Sequence, residues 1–143
     1  MALTDWTENR VLDLLFGKNE TLSASGSDLD MNTLTVKLYT SATDDAGGGN
    51  EVSSSGTGYA GVDIANNSGD NKWTAAVGGT VKNAEAILFG GSGATGSGFG
   101  TVTHVAIFAG SNMICHGQLA SPKTVATGDT FRFEIGDLRI TLS

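Results

Sequence analysis

Apolar residues recur in this chain mostly at every second position. From Phe99 to Gly117 the sequence reads FGTVTHVAIFAGSNMICHG, two apolar runs split by a short turn. Val102, Ala106 and Phe108 fall on one face of the first run, Val105 and Ile107 on the other. A strand apolar on both faces needs cover on both sides, so this segment is expected in mid-sheet. From Leu34 to Thr40, Leu34, Val36 and Leu38 alternate with Thr35, Lys37 and Tyr39. Further strands are read over 59–64, 73–77 and 80–89, with a turn cluster at 66–71. Near the end, Phe131, Phe133 and Ile135 alternate with polar residues, and so do Leu138, Ile140 and Leu142. Gly136-Asp137 joins these two runs. A Gly-X pair suits a two-residue type II′ hairpin, with Ile135 facing Leu138 and Glu134 facing Arg139. The competing reading is a corner that sends the two runs to different sheets.

The period changes once. Residues 5–16 read as a helix, with Asp5 as N-cap, Glu8 at the capping-box spacing and Gly17 to end it. Val11, Leu12, Leu14, Leu15 and Phe16 span more than half of its circumference. Such a helix either sits deep under the sheet or shares one edge with a neighbouring subunit. Between the periodic runs lie a polar connection (18–33), an 18-residue loop without pattern (41–58) and a Gly-rich loop (90–100). A loop as long as 41–58 is commonly functional, and on a partner it would become an ordered arm. The count is about eight strands at sandwich spacing. The expected fold is all-β: a jelly-roll-like antiparallel β-sandwich with one N-terminal helix, a single domain over 1–143.

Composition agrees and narrows the function. There are 21 Gly and one Pro, as short strands joined by glycine turns require. The net charge is −7, and the eight Lys and Arg are dispersed. That balance speaks against nucleic acid and anionic membranes as partners. No apolar run is long enough to span a bilayer. No signal peptide is evident, because Asp5 and Glu8 stand where positive charge belongs. Synthesis in a cytoplasm, without export by a cleaved signal, is therefore expected.

Candidate chemistry is sparse. Asp28, Asp30 and Asn32 begin like a calcium loop, but Thr33 stands where Gly is needed and Tyr39 where Glu is needed. The 90–100 loop has no Lys and opens into a strand, which is not a phosphate-binding arrangement. His104 and His116 lie on neighbouring strands without a third ligand, and Cys115 points to the opposite face from His116. No Ser sits in a GxSxG elbow. No cofactor, metal site or enzymatic activity is expected.

Several segments together resemble a family of small tailed-bacteriophage virion proteins, labelled tail-fibre-like or decoration proteins. They are the helix DWTENRVLDLLFG, the strand and loop LTVKLYTSATDDAGGGNEV, the Gly58-Tyr59-Ala60 step, Gly100 to His104 running into Ala106-Ile107-Phe108, and the ending SPKTVATGDTFRFEIGDLRITL. The chain departs from the family at Phe99 (commonly Trp), Gly61 (often Arg) and Ala109 (commonly Asp). The last two departures bear on partner contacts. The resemblance implies a virion structural protein. A capsid decoration or cement protein is expected, since Trp and Tyr are few and dispersed, and a tail- or fibre-associated protein is the alternative. The partners would be the major capsid protein or other virion proteins, in many symmetric copies or a homo-oligomer. Candidate contact residues are Trp6, Leu12 and Phe16 on the helix and Asp44, Asp45, Glu51 and Val52 in the 41–58 loop.

Overall fold

The computed structural model describes residues 11–13, 16, 33–44, 48–67 and 70–142. The named strands are β1 (Thr33–Tyr39), β2 (Val62–Asn67), β3 (Asp70–Asn71), β4 (Thr80–Lys82), β5 (Ile87–Phe89), β6 (Gly100–Ala109), β7 (Asn112–Val125), β8 (Phe131–Phe133) and β9 (Arg139–Thr141). The five-stranded sheet runs in the order β3-β2-β1-β6-β7, with two-stranded sheets β4-β9 and β5-β8. The fold is all-β with antiparallel pairing, in line with the sandwich read from strand spacing. As expected from its two apolar faces, β6 is an inner strand, and every side chain from Val105 to Ala109 is buried. On β1 the alternation is kept: Leu34, Val36 and Leu38 are fully buried.

The chain divides into two compact units. One comprises residues 1–34, 64–87 and 133–143, the other 35–63 and 88–132. Buried in the first are Leu12, Phe16, Ile64, Trp73, Val81, Ile87 and Leu138, with Phe16 edge-on to Trp73 at 4.9 Å between ring centroids. Helical geometry is present at 11–13, and the Phe16 N–H donates to the Leu12 carbonyl. The rest of the expected 5–16 helix lies outside the described residues. In the second unit Tyr59, Phe89, Phe99 and Phe131 form an aromatic core at 5.5–6.2 Å between centroids.

Three strand readings are corrected. The 80–89 run is two strands, broken where the buried Asn83 bonds to residues 134 and 138. The 73–77 run makes only isolated bridges, and the chain reverses at Gly78-Gly79, both at positive φ, so that Val77 pairs with Thr80. That two-residue turn with positive φ twice is the hairpin geometry glycine pairs favour. Thirdly, residues 130–135 and 138–142 are not a hairpin. β8 pairs with β5 and β9 with β4, so Gly136 turns a corner and Glu134 does not face Arg139. The physical reason is the register of the turn. The Asp137 N–H donates to the Glu134 carbonyl, which makes Gly136, at φ +82°, the third turn residue, as in a type II turn. The corner is then stitched to Asn83, and Ile135 is left 68% exposed.

β7 runs further than the hairpin read from sequence and includes Pro122. Val102 pairs with Lys123 and His104 with Gln118, so Thr103 alone stands opposite Leu119, Ala120, Ser121 and Pro122. This wide bulge, in an outer strand of its sheet, is where a residue without an N–H can sit.

Candidate interaction surface

The 41–58 loop is built back onto β1. The Thr40 N–H donates to the Asn50 carbonyl and the Val52 N–H to the Leu38 carbonyl, at 2.8 and 2.9 Å, so Glu51 bridges Tyr39. At the far end of the loop the Asp44 carboxylate accepts from the Gly48 N–H. Glu51 pairs with Lys37 at 3.2 Å, and the Lys37 ammonium lies 4.8 Å from the centre of the Phe108 ring. Exposed pairs of this kind contribute about 0–1 kcal/mol. Beneath them, the Tyr59 hydroxyl accepts from the Leu38 N–H at 2.9 Å and donates to Glu51 at 3.3 Å. Burial pushes the Tyr59 phenol well up, the Leu38 bond opposes this, and the Glu51 charge adds to it. Tyr59 is therefore a neutral peg joining the loop to the strand.

A second assembly of loops belongs to the same unit. Segments 53–58, 90–99 and 126–129 are joined mainly by backbone hydrogen bonds. Thr95 N–H donates to the Thr57 carbonyl, Ala94 N–H to Asp129, Gly128 N–H to Ala94, and Phe99 N–H to Val125. Side-chain hydroxyls of Thr95 and Thr127 close onto the Gly56 and Gly96 carbonyls. Gly98, at φ +74°, is required here, because a Cβ would run into the Val125 carbonyl. The outer residues are small and mostly hydroxylic: Ser53, Ser54, Ser55, Ser92, Thr95, Ser97 and Thr127 are all exposed. The glycine loop is thus a packed element joined to its neighbours, and it enters β6 directly.

Of the contact residues expected from sequence, Leu12, Phe16 and Val52 are buried in their own chain, at 1–3% exposure, and present no side chain outward. Asp44 and Glu51 are exposed. Trp6 and Asp45 lie outside the described residues, as do Asp28, Asp30 and Asn32. Trp73, Tyr39 and Tyr59 are buried and offer no stacking platform. Among the described residues no three of His, Cys, Asp and Glu gather as a metal site would need. Ala106 pairs with His116 and His104 with Gln118, so the two histidines are diagonal neighbours, and His104 Nδ1 is 2.8 Å from its neighbour's hydroxyl, Thr103 Oγ1. Burial pushes the Cys115 thiol up to about 11, which keeps it protonated and unreactive near neutral pH.

What the described residues offer is surface for contact. A family model described as podophage GP4 fiber I protein gp80 matches residues 2–141. The chain belongs to that family. It is a bacteriophage virion structural protein, a component of the particle that associates with other virion proteins. No individually curated protein matches the chain. The family assignment covers the helix, every named strand and both loop assemblies, the same span over which the sequence resembles virion proteins.

Proposed function

We propose that this chain is a non-catalytic structural module of a phage fibre, holding its place by surface contacts with neighbouring virion proteins. The observation that carries this reading is the match of nearly the whole chain to a family described as a fibre protein. The folding of the 41–58 and 90–99 loops onto their own unit supports a static building block, since loops bonded to the scaffold are preorganised for docking. The module would be made in the host cytoplasm and built into the particle in several copies. Gold-labelling or cryo-EM of virions carrying a tagged copy tests this: density at the tail or fibre supports it, and density spread over the capsid shell overturns it.

The second reading is the capsid decoration or cement protein expected from sequence. One observation favours it: Trp73, Tyr39 and Tyr59 are buried, so none of these aromatics serves as a glycan-stacking surface on a host-facing tip. The same imaging separates the two. Neither role calls for a cofactor, a metal or a reaction.

A further inference from the structure

Strands β4 and β9 pair with Lys82 directly opposite Arg139. Opposite residues of an antiparallel pair share a face, and like charges there work against folding. The next pair on that face is Thr80 and Thr141, whose hydroxyls hydrogen-bond at 3.1 Å, while the buried Val81 pairs with Ile140 on the other face. Among the described residues neither cation has a carboxylate partner. Lys37 takes Glu51 and Lys72 takes Glu85. Arg139 donates from Nε to the Gly136 carbonyl at 3.1 Å, and the nearby Asp137 carboxylate accepts from the Glu134 N–H. Arg139 is exposed and Lys82 half-buried. Lys82 Cδ lies 3.9 Å from where a Cβ on Gly136 would stand, so its stem passes the corner whose neighbour, Ile135, is 68% exposed. In a chain with 15 acidic residues against eight Lys and Arg, two unneutralised cations side by side are against the average.

We propose that the Lys82–Arg139 face is a docking site for a carboxylate-bearing surface of a second copy of this chain, with Ile135 as its apolar contact. The choice of occupant rests on charge. A second copy carries a net charge of −7, and carboxylates such as Asp63 and Asp129 are exposed on its surface. Two such chains repel on average, and a locally cationic face is where they attract. An anion seated between Lys82 and Arg139 also turns the unfavourable pair into a favourable one. The contact joins two different patches and is therefore heterologous. It does not depend on where in the virion the protein sits.

The test is sedimentation velocity and thermal melting of the full chain between roughly 0.02 and 0.5 M salt. The expected result is self-association at low salt that dissociates at high salt. Lys82→Gln and Arg139→Gln should each weaken it about tenfold or more, and Arg139→Lys should retain it. Arg139→Gln should melt at the same temperature as the parent or higher, because it removes a like-charge pair, and Lys82→Gln provides the same reading independently. A parent chain that stays monomeric at low salt overturns the proposal. So does association that both Gln variants leave unchanged, or a cation-dependent complex formed only with nucleic acid or with a different virion protein.

Discussion

Asn83 does most among single residues to define the first unit. It is fully buried, its Nδ2 donates to the Glu85 and Glu134 carbonyls at 2.7 and 2.8 Å, and its Oδ1 accepts from the Leu138 N–H at 2.9 Å. Its backbone exchanges further bonds with Gly136 and Leu138. Asn83→Ala would remove the side-chain partner of the buried Leu138 N–H and of two part-buried carbonyls, and at about 1–3 kcal/mol for an unsatisfied buried group, with water reaching the carbonyls, we expect a loss of about 2–4 kcal/mol by chemical denaturation. None of this is legible in the sequence, where Asn83 falls inside the run read as one strand over 80–89 and two of its partners lie some fifty positions away. Cys115 was legible in part: a lone thiol in an apolar run reads as buried and inert, and it is half-buried. Its pKa, raised by burial from 9.0 to about 11, means that the folded state holds the proton more tightly than the unfolded one. The contribution is fully present below pH 9 and is lost as pH rises through about 11. The parent should therefore lose about 1–3 kcal/mol relative to Cys115→Ala over that window, read from denaturation curves at stepped pH.

At the scale of elements, periodicity found the strands that bury one or two faces, and long-range bonds decided the rest. β1 and β6 were readable because alternation and a doubly apolar run depend only on the chain itself. The corner at Gly136 was not, since a glycine serves the second position of one turn type and the third of another, and the choice is made by Asn83. In the glycine loop, strain and space can be separated by experiment. Gly98→Ala meets both positive φ and the Val125 carbonyl, so it should cost about 3 kcal/mol or more in thermal melts. Gly56→Ala meets positive φ with nothing within 4 Å and should cost about 1–2 kcal/mol. Equal losses would mean that crowding at Gly98 is not what selects glycine there. The outer strand β7 carries a bulge, Pro122 and Lys123 together, three devices that discourage pairing with a foreign strand. Deleting Ala120 and Ser121 to shorten the bulge should increase aggregation on storage, followed by light scattering.

For the molecule as a whole, the family was legible from segments spread along the chain, whereas the burial of three of the expected contact residues was not. Leu12, Phe16 and Val52 are apolar, and a sequence cannot say whether an apolar residue is covered by its own chain or by another. Here their own chain covers them. The loops at 53–58, 90–99 and 126–129 should resist proteases despite their glycine content, because their backbone groups are already bonded to one another. Limited proteolysis followed by mass spectrometry checks this, and early cleavage within 91–97 would contradict it. That mode of construction has a consequence for how such a protein can change over generations. Ser54, Ser92 and Ser97 are exposed, and the bonds holding the loops together run through main-chain atoms and through Thr57, Thr95 and Thr127. The three serines are free to drift to other residues at little cost in stability, so a phage lineage under pressure from a changing neighbour can rewrite this surface one letter at a time while inheriting an unaltered frame.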